Sequence, residues 1–207
     1  MNRVGVIDYG AANIENVVRA LRSVGASFSV ITRPQEVNSC FRLILPGVGA
    51  FPFGMKRLRE TGLAERIKVA SDQAVPILGI CLGMQLLFST SEEFGHTNGL
   101  SLLKGSVTKL PSRSRNEMVP RFGWYKVFPT ENYTDSKLSI ASGGYYYFAH
   151  SYYALPSDNS QSYLSKHGQV NICVGIEEKN TFGVQFHPEK SGLLGHKLLQ
   201  SFLKLKG

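Results

Sequence analysis

The chain has 207 residues, 43% of them hydrophobic, and 23 basic against 15 acidic side chains give a formal charge of +8. That length supports one sizeable core, the apolar content predicts a folded globular protein, and no apolar run approaches the roughly 20 residues of a membrane-spanning helix. The three cysteines, Cys40, Cys81 and Cys173, are odd in number, far apart and without C-x-x-C spacing, which argues against a disulfide framework or a zinc site.

Reduced thiols suit a reducing compartment. The N-terminus enters a strand pattern without the layout of a secretory signal, so a cytoplasmic location is expected. The positive residues are dispersed. Their densest group, Arg113, Arg115 and Arg121 around Lys109, forms no nucleic-acid-binding motif. The excess charge reads as a solvated surface or as a docking face for an acidic or phosphate-handling partner.

In chain order, Arg3 to Ile7 predicts a short apolar strand, followed by the loop Asp8-Tyr9-Gly10-Ala11-Ala12-Asn13. Ile14, Val17, Val18, Leu21 and Val24 recur at helical spacing, and Gly25 stops the helix. Phe28 to Ile31 and Arg42 to Leu45 read as the next strands, the second ending in Pro46-Gly47-Val48-Gly49. Helical patterns follow through Met55–Leu58 and Leu63–Ala70, then a fourth strand over Val75 to Leu78. Repeated alternation of strand and helix predicts an α/β fold: a doubly wound, mainly parallel central sheet with helices on both faces. Ligands of such sheets bind beyond the C-terminal ends of the strands.

The fourth strand leads into Gly79-Ile80-Cys81-Leu82-Gly83, and Met84, Leu86, Leu87 and Phe88 continue in a helix-like pattern. Glycines two residues either side of an apex are what a nucleophile elbow requires, since bulkier side chains clash across the turn. Cys81 is the apex. A helix start offers it unpaired N–H groups and a dipole that favour the thiolate.

Beyond Phe88 turns become frequent. Ser106–Leu110, Gly123–Phe128, Tyr145–Ala149, Cys173–Glu178 and Thr181–Phe186 predict short strands, antiparallel additions that return to the central sheet near the end. Gly192 to Lys204 predicts a closing amphipathic helix. With no linker, repeat or low-complexity segment, residues 1–207 read as a single domain.

A cysteine nucleophile needs a base and donors for an oxyanion. Of the five histidines, His96 and His167 fall in polar, loop-like stretches and His196 on the last helix, which suits surface residues. His150 follows an aromatic strand. His187 ends a strand and precedes Pro188-Glu189, and the proline biases it toward an extended backbone. Residues i and i+2 of an extended segment project to one side, so Glu189 can reach the imidazole and orient it. Cys81, His187 and Glu189 are thus the candidate catalytic triad. In Pro46-Gly47-Val48-Gly49, glycines around one apolar residue let backbone N–H groups of Val48 and Gly49 face an anion. An oxyanion hole shared with the amide of Leu82 fits better than a phosphate cradle, because neither G-x-x-x-x-G-K-[ST] nor G-x-G-x-x-G is present.

Taken together, G-I-C-L-G-M-Q at Gly79 to Gln85, P-G-V-G at Pro46 to Gly49 and H-P-E at His187 to Glu189 resemble class-I (triad) glutamine amidotransferases. Within that class the chain is similar to the glutaminase subunits of imidazole glycerol phosphate synthases, through D-Y-G-x-x-N at Asp8, F-x-H-S-Y at Phe148, G-W at Gly123 and F-G-V-Q-F-H-P-E-K-S at Phe182. The resemblance spans nearly the whole chain. It implies that Cys81 attacks the side-chain amide of L-glutamine, with Gly49, Gln85, Ser151 and Tyr152 holding that substrate. It implies no cofactor, no metal, no nucleic acid and no membrane. The implied partner is a (β/α)8-barrel synthase subunit in a heterodimer, met near Asn13, Trp124 and Lys190. That partner uses the ammonia to form imidazole glycerol phosphate and AICAR in L-histidine biosynthesis. The glycine strand at Val48 is the implied switch, silent until the partner is docked and liganded.

The chain departs from the family's usual P-H-x-G-W-N at Pro120-Arg121-Phe122-Gly123-Trp124-Tyr125, and Ala12 stands where glycine is common. These changes leave the triad intact but bear on the pairing surface. A paralogous glutaminase feeding a related barrel that builds an amidino group on a surface-polysaccharide sugar is the alternative. A cysteine hydrolase of other amides or peptides, or a non-catalytic scaffold on the same fold, are the remaining readings.

Overall fold

The computed structural model describes residues 3–112, 117–131, 133, 136–157 and 161–206. Arg113 and Arg115 lie outside them. The first half alternates as expected: β1 (Val4–Ile7), α1 (Ile14–Ser23), β2 (Phe28–Ile31), β3 (Arg42–Gly47), α2 (Phe51–Glu60), α3 (Leu63–Asp72), β4 (Ile77–Cys81) and α4 (Leu82–Leu86). Asn13 caps α1, its side chain accepting from the Asn16 N–H at 3.4 Å, and Gly25 follows the helix at φ +73°. The second half is mostly strand: β5 (Phe88–Ser91), β6 (Thr97–Asn98), β7 (Leu103–Lys109), β8 (Arg121–Pro129), β9 (Gly144–His150), β10 (Tyr152–Pro156), β11 (Gln161–His167), β12 (Val170–Glu178) and β13 (Thr181–Val184), closed by α5 (Gly192–Lys204).

The sheet runs β2-β1-β3-β4-β13-β12-β10-β7-β5-β6. Its first five strands are parallel throughout. From β13 to β12 the pairing turns antiparallel, and β11, β8 and β9 branch off as a further antiparallel layer. This is the mainly parallel central sheet with antiparallel additions, and β13 is the expected return. Alternation along the strands divides the core in two. Leu43 and Leu45 of β3 pack with Met55, Leu58 and Ile67 of α2 and α3 on one face. Ile44, Leu78 and Phe182 pack with Val17 and Leu21 of α1 and Leu198 and Phe202 of α5 on the other. Parallel strands covered on both faces are apolar along their length, which is why β3 and β4 are buried at every position.

Three sequence expectations need correction. The helix after Cys81 is five residues long, and Phe88 opens β5 instead of closing the helix. A short, wholly buried apolar run carries no periodicity that separates helix from strand. β10 and β11 fall in stretches expected to be turns. His167, expected at the surface, is buried in β11, its Nε2 2.9 Å from the Pro111 carbonyl oxygen.

Candidate active site

The adjacency of β3, β4 and β13 places three loops side by side: the glycine segment after β3, Cys81 at the end of β4, and Gln185 to His187 beyond β13. Cys81 has φ +55° and ψ −112°, a conformation rare outside glycine that marks a strained turn. The flanking glycines are required by close approach. A Cβ on Gly83 would sit 1.7 Å from the Leu45 carbonyl oxygen, and one on Gly79 2.7 Å from the Met84 nitrogen. The elbow therefore exists only because two strands and a helix start can nearly touch.

His187 is extended, at φ −98° and ψ 97°, as the following proline dictates. Its N–H donates to the Tyr147 carbonyl oxygen at 2.9 Å, and its own carbonyl accepts from Ser191 Oγ at 2.6 Å. Glu189 Oε1 lies 2.7 Å from His187 Nδ1, both side chains buried. The contact matches the expectation but its geometry does not: Pro188–Lys190 is a 3₁₀ turn, so Glu189 curls back instead of continuing an extended strand. His187 also shares the cleft with the side chain of Cys81, which acts on its charge. Burial opposes protonation of the ring, but the Cys81 and Glu189 side chains outweigh it and push the imidazole up to about 10. Such a ring holds a proton at neutral pH, ready for a leaving group.

Cys81, Leu82, Gln85, Ser151, Tyr152, His187, Val48 and Gly49 line one cleft of about 380 Å³, with Lys190 at its edge. The structure thus brings together every residue expected for catalysis and substrate, except that Glu189 lies behind His187, facing a small crevice it shares with Asn13 and Val48. The Val48 N–H does not face the cleft but donates to the Ala11 carbonyl oxygen at 2.9 Å. β3 ends at Gly47, and the next amide, having no strand partner, bonds the loop after β1. Gly49, at φ +93°, supplies the freedom to turn the peptide over.

Of the expected interface residues, Trp124 is half exposed on β8, with its ring 5.9 Å from that of Tyr147. Lys190 is exposed, with Nζ 5.4 Å from the Tyr147 ring centroid. Strand alternation sorts the side chains of this segment. Phe122 and Trp124 point outward, while Arg121 is fully buried. Its guanidinium sits 3.9 Å from the Tyr125 ring centroid and 4.5 Å from that of Phe148. Arg121 and Tyr125 thus form an internal cation–π stack, and the replacement at both positions is a matched change in packing rather than in the exposed face.

Sequence reasoning assigned no role to Glu93 and His150, which line the cleft, or to Gln185, which stands beside Cys81. Glu93 is the one carboxylate lining the cleft among the described residues. Its Oε2 accepts the Phe51 N–H at 2.7 Å, and burial raises its carboxyl above the usual range against that bond. In the chain it is one of two adjacent glutamates, and nothing local tells which is buried. His150 is neutral: burial takes its imidazole down to about 3. Its Nδ1 donates to the Tyr152 carbonyl oxygen at 2.8 Å. Gln185, wholly buried, lies within hydrogen-bonding range of Cys81 Sγ. It stands two residues before His187, and the parallel pairing of β13 with β4 is the signal that could have found it.

Residues 5–205 match the family model for the class-I glutamine amidotransferases, and the chain belongs to that family. Its relatives include two proteins named imidazole glycerol phosphate synthase subunit HisH. That of Caldanaerobacter subterraneus is 41% identical over 96% of each chain, and that of Geobacillus thermodenitrificans 41% identical over 98% of this chain and 96% of its own. Among solved structures, the chain is similar in fold to PurLQS from Thermotoga maritima, at TM-score 0.74 and 24% identity over 97% of both chains. It also resembles a crystal structure of a glutamine amidotransferase, at TM-score 0.75 and 16% identity over 97% of both.

Proposed function

We propose that this chain is the glutaminase subunit of an imidazole glycerol phosphate synthase. It hydrolyses L-glutamine and passes the ammonia to a (β/α)8-barrel synthase subunit in L-histidine biosynthesis. The carrying observation is that His187 shares one cleft with Cys81 while Glu189 Oε1 lies 2.7 Å from its Nδ1. The full-length relatives at 41% identity support the finer reading. The inward stacking of Arg121 and Tyr125 removes two of the departures that favoured a sugar-pathway partner.

The chemistry follows from the site. The Cys81 thiolate adds to the side-chain amide carbon of glutamine, and the carbonyl electron pair moves onto oxygen. His187 gives its proton to the amide nitrogen as the C–N bond breaks, releasing ammonia and leaving a thioester. The ring then takes a proton from water, which adds to the thioester and expels glutamate and the Cys81 thiolate. Glu189 keeps the imidazole oriented throughout. Gln85, Ser151 and Tyr152 hold the substrate, and Glu93 offers the negative charge that an α-ammonium group requires.

The oxyanion donors are the amides of Leu82 and of Val48 or Gly49. With the Val48 N–H donated to Ala11, this hole is incomplete, and the resting chain is a slow glutaminase. Partner docking across Asn13, Trp124 and Lys190 turns the peptide. No helix among the described residues is long and apolar enough to cross a membrane, and three free thiols suit the cytoplasm.

The test is glutamine hydrolysis by the chain alone and with the barrel subunit and its ligand. Strong activation is expected. Cys81→Ala should abolish glutamine-dependent synthesis and spare synthesis from added ammonium. Loss of both activities would sink the transfer of ammonia, and activation only by a sugar-pathway barrel would reassign the partner.

A further inference from the structure

The amide orientations around the nucleophile are decided by one backbone carbonyl. Tyr152 C=O can only accept, and it lies 2.9 Å from one terminal atom of Gln85, which must therefore be Nε2. The same Nε2 lies 2.9 Å from Gln185, so the atom that Gln185 presents to it is Oε1. The other terminal atom of Gln185 is then its Nε2, and it lies 3.7 Å from Cys81 Sγ. His150 Nδ1 donates to the same Tyr152 oxygen and braces the chain at its far end. Tyr152 C=O, Gln85, Gln185 and Cys81 Sγ form a hydrogen-bonded line from the cleft wall to the nucleophile. Gln85 and Gln185 are both buried, so no solvent competes for their donors.

We infer that Gln185 is a positioning residue for the nucleophile: its N–H donates to the Cys81 thiolate, and Gln85 locks the orientation in which it can do so. The inference rests on Cys81 being the reacting group. Sulfur ionises by losing its only proton, after which it can only accept, and an amide N–H fixed in advance meets it without reorganising. The titratable groups facing the sulfur are His187, beyond β13, and Tyr9, in the loop after β1. A leucine at 185 keeps the volume but loses both the donor to sulfur and the acceptor for Gln85. A glutamate keeps an oxygen for Gln85 and loses the N–H but adds a charge beside the sulfur, so the uncharged leucine is the variant that reads the donor without repulsion.

The experiment is iodoacetamide alkylation of Cys81, followed by mass spectrometry of the peptide that carries it, for the full chain and for Gln185→Glu and Gln185→Leu. At neutral pH Gln185→Leu should alkylate about tenfold more slowly, the loss expected for one hydrogen bond to a charged group, and Gln185→Glu more slowly still. Above about pH 10, where an ordinary thiol is ionised, the Gln185→Leu rate should converge with wild type. An unchanged rate at neutral pH in a folded Gln185→Leu protein would overturn the inference. So would a Gln185→Leu deficit that persists at high pH, since that reports blocked access rather than a missing donor. If neither variant folds, the wild-type Gln185 side-chain amide resonance should move as the pH is raised through the range in which Cys81 becomes alkylatable. A stationary resonance would overturn the inference. Alkylation needs neither glutamine nor a partner, so its outcome is independent of whether the chain proves to be a glutaminase.

Discussion

Replacing Gly83 by alanine tests whether the elbow and the strand beside it are one mechanical unit. The added Cβ would lie 1.7 Å from the Leu45 carbonyl oxygen and 2.7 Å from its carbonyl carbon. Both are backbone atoms, so no rotamer change relieves the overlap. Real Cβ atoms almost never approach closer than 3.0 Å, so going from 1.7 to 3.0 Å forces β3 and the elbow apart by 1.3 Å. Leu45 is three residues before Val48, so the displacement reaches the nucleophile and the oxyanion segment together. Overpacking of this kind costs on the order of 1–3 kcal/mol, and a misplacement near 1 Å at a reacting centre costs about a hundredfold in rate. We expect Gly83→Ala to fold with a lower urea midpoint and to react with a glutamine-mimicking diazo-ketone about a hundredfold more slowly. Urea unfolding and mass-spectrometric labelling of Cys81 read the two effects. Unchanged labelling at unchanged stability would refute the claim that β3 holds the elbow.

Glu189→Gln removes the charge 2.7 Å from the His187 ring. Acylation should slow by up to about 10⁴-fold, as when the orienting carboxylate of a serine triad is neutralised, while glutamine binding weakens little; single-turnover kinetics separates the two. Because the folded His187 imidazole is raised above its ordinary 6.5 to about 10, its ion pair stabilises the fold fully below pH 6.5 and loses that contribution as pH rises through 10. The stability gap between wild type and Glu189→Gln in urea should therefore narrow over that window, and a gap constant from pH 6 to 10 would exclude a protonated ring. Gly49→Pro imposes φ near −65° where the chain has +93°. Activation by a liganded barrel should collapse to a ratio near one, and normal activation would remove the glycine strand from the switch.

Much of the site was legible because its parts are local. Gly79 and Gly83 bracket Cys81 within one turn, and His187 and Glu189 are two residues apart, so short-range sterics carried the inference. Strands β1 to β4 announced themselves as apolar runs between helical periods. Residues whose role depends on neighbours far away in the chain were hidden. Gln185 meets Gln85 and Cys81 about a hundred residues away only because β13 pairs with β4. His167 reads as polar loop because its burial comes from β11 lying between β12 and β8. The rotation of the Val48 amide is a single peptide's choice between two acceptor environments, and composition says nothing about which is taken.

Tyr147 joins two places usually kept apart. Its ring forms edge contacts with Phe122 and Trp124 on the outer face of β8, and Lys190 stands over it. Its carbonyl holds the N–H of His187, and its own N–H donates to Ser191 Oγ. The skin of the molecule and the scaffold of its proton donor are thus a single residue thick. Redesign of this face for a new partner has more freedom at Trp124 than at Phe122, which also lines the cleft with Cys81 and His187. At Tyr147 the ring itself also lies 6.4 Å from that of His187, so drift in partner choice and drift in chemistry meet at that one position.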